Sequence, residues 1–120
     1  MAPRSNFLVI VADDMGYGDF SCFNDGASST PELDELVATS TCLTQHYSAS
    51  PVCAPARASL LTGRYPQRTG AIDTLEGRGL DRIALGERTI GDLLAGAGYV
   101  TGVVGKWHNG ALDDRYHPNR

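Results

Sequence analysis

Residues 7–12 form an unbroken apolar, β-branched run, Phe7-Leu8-Val9-Ile10-Val11-Ala12, and two acids, Asp13 and Asp14, end it. A run with no polar alternation suits a strand covered on both faces, as in a parallel sheet flanked by helices. The rest of the chain keeps a matching rhythm. Thr30, Pro31 and Glu32 open a first helix with a cap, a proline at the first position and an acid in the first turn. Its apolar face is Leu33, Leu36 and Val37, with Glu32, Asp34 and Glu35 on the wet side. Residues 41–47 read as a second, threonine-rich strand. A second helix begins close to Pro55 and stops at Gly63, and a third is capped by Thr89 and stopped by Gly98, with Ile90, Leu93, Leu94 and Ala97 facing inward. Residues 99–104 read as a third strand. Strands alternating with helices predict an α/β fold, a parallel-type sheet with flanking helices, in one domain over residues 1–120. Between Gly63 and about Glu87 the chain reads as irregular; its arginines at 68, 78 and 82 are either one wall of a substrate cleft or solvated.

Each predicted strand delivers chemically useful residues to its end, where open α/β sheets bind their ligands. Asp13 and Asp14, followed by Gly16 and Gly18, suit a hard divalent cation held through oxygen, the plain alternative being a solvated turn. Cys53 lies beside a helix N-terminus, where free N–H groups and the dipole favour negative charge. Arg57 follows four residues later, about one turn on, so its guanidinium can reach back towards the cysteine. Only three residues separate the two, too few for the cysteine-phosphatase loop. Lys106 and His108 are one residue apart, and in an extended segment both side chains point the same way. His46 and His117 read as structural.

Composition excludes several classes of function. The net charge of −4 and the absence of a long basic run argue against nucleic-acid binding. No apolar stretch approaches the roughly 20 residues that span a bilayer. The start, Met1-Ala2-Pro3-Arg4, lacks the apolar core of a signal peptide, which reads as cytoplasmic as written, or periplasmic or secreted if a leader is missing. The three cysteines cannot all pair, and Cys22 and Cys42 read as buried or partly buried small residues.

The pattern Cys53-x-Pro55-x-Arg57, running into Leu60-Leu61-Thr62-Gly63-Arg64, resembles the signature of the type I sulfatases, formylglycine-dependent members of the alkaline phosphatase superfamily. The opening Val11-Ala12-Asp13-Asp14-Met15-Gly16-Tyr17-Gly18-Asp19 looks like that family's first strand and metal loop. Thr30-Pro31-Glu32-Leu33-Asp34 looks like its first helix, and Gly105-Lys106-Trp107-His108 like its lysine–histidine motif. The resemblance implies a sulfuric ester hydrolase that cleaves sulfate monoesters, on a sulfated glycan or aryl sulfate. It implies that Asp13, Asp14 and position 53 serve a Ca²⁺ (Mg²⁺ in some relatives). Cys53, converted to formylglycine by a formylglycine-generating enzyme, would be the nucleophile. Arg57 would steady its ionised hydrate, Lys106 would bond to it and to the sulfate, and His108 would remove the proton from the non-attacking hydroxyl. Family members are several times longer, which makes this chain resemble an N-terminal portion, expected to be inactive alone. A phosphonate or phosphodiester hydrolase of the same superfamily, or an inactive fragment, are the alternatives.

Overall fold

The computed structural model describes residues 4–118. Residues 1–3, which enter the N-terminal reading above, lie outside the described residues. The chain divides into two compact units, Met1–His46 and Tyr47–Arg120. Among the described residues the regular elements are three α-helices and five short 3-10 turns.

In the first unit, 3-10 turns at Tyr17–Asp19 and Ser21–Phe23 precede helix α1, Pro31–Thr39. Tyr17 stacks on Phe23 with ring centroids 4.1 Å apart. Thr30 stands at the N-cap, but its hydroxyl serves a side-chain knot and makes no capping bond to the helix backbone. Thr30 Oγ1 accepts from the Ser21 amide at 2.8 Å and donates to Asp34 Oδ1 at 2.9 Å, while Ser21 Oγ accepts from the Thr30 amide at 2.9 Å and donates to Asp34 Oδ2. The Ser21 hydroxyl holds the Asp34 carboxyl below its ordinary range. Asp34 therefore ties the turn to the helix, and only Glu32 and Glu35 keep the solvated role expected of all three acids. Cys22 and Cys42 are exposed free thiols, not the buried or partly buried small residues expected.

In the second unit, helix α2 spans Cys53–Thr62 and α3 spans Ile90–Gly96. Extended Val52 (φ −122°, ψ 152°) leads into α2, so the helix starts two residues before Pro55 and takes the proline within its first turn, where no intrahelical N–H is lost. Gly63 ends it at φ 67°, ψ 17°, donating its N–H to the Ser59 carbonyl. That left-handed residue has no Cβ to clash, as a helix stop requires. The buried face of α2 is Ala54, Pro55 and Ala58. Ala58 packs with Ala71 and Ile83, and Leu61 covers the edge. The core thus draws half its residues from the segment between Gly63 and Glu87, which the sequence presents as irregular. Backbone bonds close it: Ala84 N donates to Thr69 O at 2.7 Å, and Ile72 N to Leu80 O at 2.7 Å. Small residues let these strandless turns approach closely; Gly70, at φ 90°, would bring a Cβ to 3.0 Å from the Arg82 carbonyl.

The expected parallel sheet is not formed. Residues 7–12, 41–47 and 99–104 carry no strand, and no strand exists among the described residues. Leu8 is 86% exposed, and Val100 and Val104 are fully exposed. The physical reason is that β-branched apolar runs only offer a strand. A strand becomes one when a neighbour supplies the hydrogen-bond ladder and other elements cover its faces. Here those apolar side chains face solvent, and the α/β assignment is replaced by helices, turns and irregular segments.

Candidate functional site

The second unit brings together residues far apart in sequence. Cys53 is the first residue of α2 and is half-buried. The Lys106 ammonium donates to Cys53 Sγ at 3.3 Å. Arg57, one helical turn on, reaches the same turn: its Nη1 donates to the Lys106 carbonyl at 2.6 Å. Arg57 therefore anchors the backbone of the residue whose side chain meets Cys53. Three of the four expected catalytic residues meet in this way.

His108 is placed differently. Its φ of 50° breaks the extended course that would have aimed it alongside Lys106. Its Nε2 lies 3.8 Å from Glu76 Oε1, and its side chain is 17% exposed. Glu76 was not singled out by any sequence signal; the 3-10 turn Glu76–Arg78 carries it.

The turn bearing Lys106 and His108 is fixed by groups that sequence reasoning missed. Buried Asp81 accepts from the Gly110 amide through Oδ2 at 3.0 Å. Trp107 Nε1 donates to the Tyr116 carbonyl at 2.9 Å. The Arg82 guanidinium lies 5.3 Å from the Tyr116 ring centroid. Gly110, at φ 104°, packs so closely on Tyr116 that any Cβ would collide with it. The lone available signal was the glycine itself, since a tight approach needs one.

In the first unit Asp13 and Asp14 are both exposed, and Asp14 takes a left-handed φ of 57°. Aspartate tolerates that conformation better than most residues. Asp13 and Asp14 can each offer a carboxylate oxygen to a metal ion. Two adjacent carboxylates fit a hard cation such as Ca²⁺, which takes oxygen ligands. No helix among the described residues is long and apolar enough to cross a membrane.

Comparison with known proteins supplies the family. The family model described as Sulfatase matches residues 5–117. Steryl-sulfatase of Rattus norvegicus is 43% identical over 129 residues, covering 98% of this chain and 22% of that protein. Arylsulfatase A of Bos taurus is 44% identical over 110 residues, covering 91% of this chain and 22% of its own length. Arylsulfatase H of Canis lupus familiaris is 41% identical over 127 residues, with 96% and 23% covered. The chain spans about a fifth of the length of the curated relatives it matches. No solved structure matches it.

Sequence and fold diverge at this point. An alkaline-phosphatase-like α/β sheet, expected from the resemblance, is absent among the described residues. The expectation of a sulfuric ester hydrolase falls with it, because the sheet expected to hold its groups is absent among the described residues. Catalysis of this kind rests on charges fixed before the reaction begins. The chain keeps the Cys53–Lys106–Arg57 constellation without that scaffold.

Proposed function

Since the chain belongs to the sulfatase family, we propose that it carries the nucleophile position and cation ligands of a sulfatase-family site in a form that is catalytically inactive by itself. The observation supporting this is a formed Cys53–Lys106 contact at 3.3 Å in a chain with no strand among its described residues. Cys53 is the residue a formylglycine-generating enzyme converts, within Cys53-x-Pro55-x-Arg57. Lys106 presents a cation to a tetrahedral oxyanion such as the sulfate group of an ester, and Arg57 holds Lys106 in place through its carbonyl. His108, with Nε2 3.8 Å from Glu76 Oε1, is the candidate for proton transfer. Asp13 and Asp14 are the residues that would hold a Ca²⁺. The bound ion would offset negative charge on the anion. With so few protein oxygens, calcium affinity is expected to be weak, about millimolar.

The experiment is co-expression of the chain with a formylglycine-generating enzyme, then mass spectrometry and an assay with a fluorogenic aryl sulfate in excess calcium. The expected result is an aldehyde at position 53 and no turnover above background. Turnover that disappears in Cys53→Ala would overturn the assignment of inactivity. A thiol at position 53 in every molecule would overturn the nucleophile assignment.

A further inference from the structure

Lys106 is the single lysine of the chain. It is exposed, and its nitrogen lies 3.3 Å from the sulfur of half-buried Cys53. Both atoms belong to the second unit, and both are positioned from the backbone: Cys53 as the first residue of α2, Lys106 through the bond from Arg57 Nη1 to its carbonyl. Amine and thiol are thus held as a pair, not as a lone cysteine near solvent.

We propose that, in chains whose Cys53 has not been converted, this pair is a redox modification site at which peroxide joins Cys53 to Lys106 through a sulfur–nitrogen bond. In the first step the Cys53 sulfur attacks hydrogen peroxide. The O–O bond breaks, one oxygen stays on sulfur as a sulfenic acid, and the other leaves as water. In the second step the Lys106 amine, having released one proton to solvent, attacks that sulfur. The S–N bond forms, the S–OH bond breaks, hydroxide departs and takes up the second amine proton as water. The net change is loss of one hydrogen from each partner and reduction of one peroxide to two waters. Sulfenic acids condense in this way with nearby thiols and backbone nitrogens. The lysine nitrogen is already in contact with the sulfur. The link would protect position 53 from irreversible oxidation and, while it lasts, withhold the thiol from conversion to formylglycine. Thiol reductants restore both groups, since attack on the linked sulfur expels the amine.

The test uses the full chain made without a formylglycine-generating enzyme, carrying Cys22→Ser and Cys42→Ser to remove disulfide competitors. It is treated with hydrogen peroxide and digested at arginine. The expected product is a peptide containing position 53 joined to the one containing position 106, lighter than their sum by about 2 Da and released by dithiothreitol. Lys106→Arg should abolish it. Reductive dimethylation of the folded chain is the second route, because it blocks the sole ε-amine without a substitution. Cys53 found only as sulfenic, sulfinic or sulfonic acid would overturn the proposal. So would a cross-link that survives dimethylation, or one found only with an extra oxygen, which is not the sulfenamide formed in the second step.

Discussion

Two acids in the second unit show how differently a carboxylate can be held. Asp113 sits before the 3-10 turn Asp114–Tyr116 and accepts from the Arg115 side chain at 2.6 and 3.0 Å and from the Arg115 amide at 3.1 Å. The guanidinium hydrogen bonds, then the amide, lower its pKa from 3.8 to about 2. A depressed carboxyl favours the folded turn above its ordinary pKa, and that contribution fades as pH falls from 3.8 towards 2. Carbon-detected NMR titration should place the Asp113 midpoint at about 2, and Arg115→Gln should return it towards 3.8. An unchanged midpoint in the variant would rule out Arg115 as the cause. Asp81 acts instead from the interior, where its Oδ2 receives the buried Gly110 amide. Asp81→Ala would leave that N–H unsatisfied, at a cost of about 1–3 kcal/mol. Urea denaturation should show the loss, and amide exchange at Gly110 should accelerate.

Among the elements, α3 has the clearest local cause. Thr89 Oγ1 accepts from the Asp92 amide at 3.2 Å, and Asp92 Oδ2 accepts from the Thr89 amide at 2.7 Å. The reciprocal pair satisfies two donors that a helix start leaves free. Ile90 and Leu93 are exposed, so this short helix takes little support from its apolar side chains. Thr89→Ala should therefore destabilise α3 by about 1 kcal/mol, and Thr89→Ser much less. Exchange of the Asp92 amide measures both. In α2 the cap and stop were readable, and its small buried face was not. Ala54 and Ala58 pack against turns that bear no periodic pattern.

At the scale of the whole molecule, the decisive fact is where apolar side chains lie. Leu8 and Val104 belong to the runs most like covered strands, yet both are solvent-exposed. Leu8→Lys and Val104→Lys should each change stability by no more than about 0.5 kcal/mol, as expected for surface positions. Dye binding to exposed apolar surface should decrease in both. A loss of several kcal/mol on chemical denaturation would instead mean that these residues are covered in solution.

Contiguous patterns determined what the sequence could establish alone. Pro31, Gly63 and Thr89 act on their own turns, so the helices were legible to within a few residues. The run from Cys53 to Arg64 is a linear signature, and it identified the family without any three-dimensional information. Tertiary structure decided everything that depends on distant partners. Whether residues 7–12 become a strand depends on a ladder and a covering layer, which no local pattern contains. Spacing put Arg57 in reach of Cys53, and the fold joins it to the Lys106 carbonyl, 49 residues away. The left-handed φ of His108 and its approach to Glu76 are set by how the turn closes on Asp81 and Tyr116. Helix caps are short-range and therefore written in the sequence; pairing, burial and the meeting of Lys106 with Cys53 are long-range, and chain closure decides them.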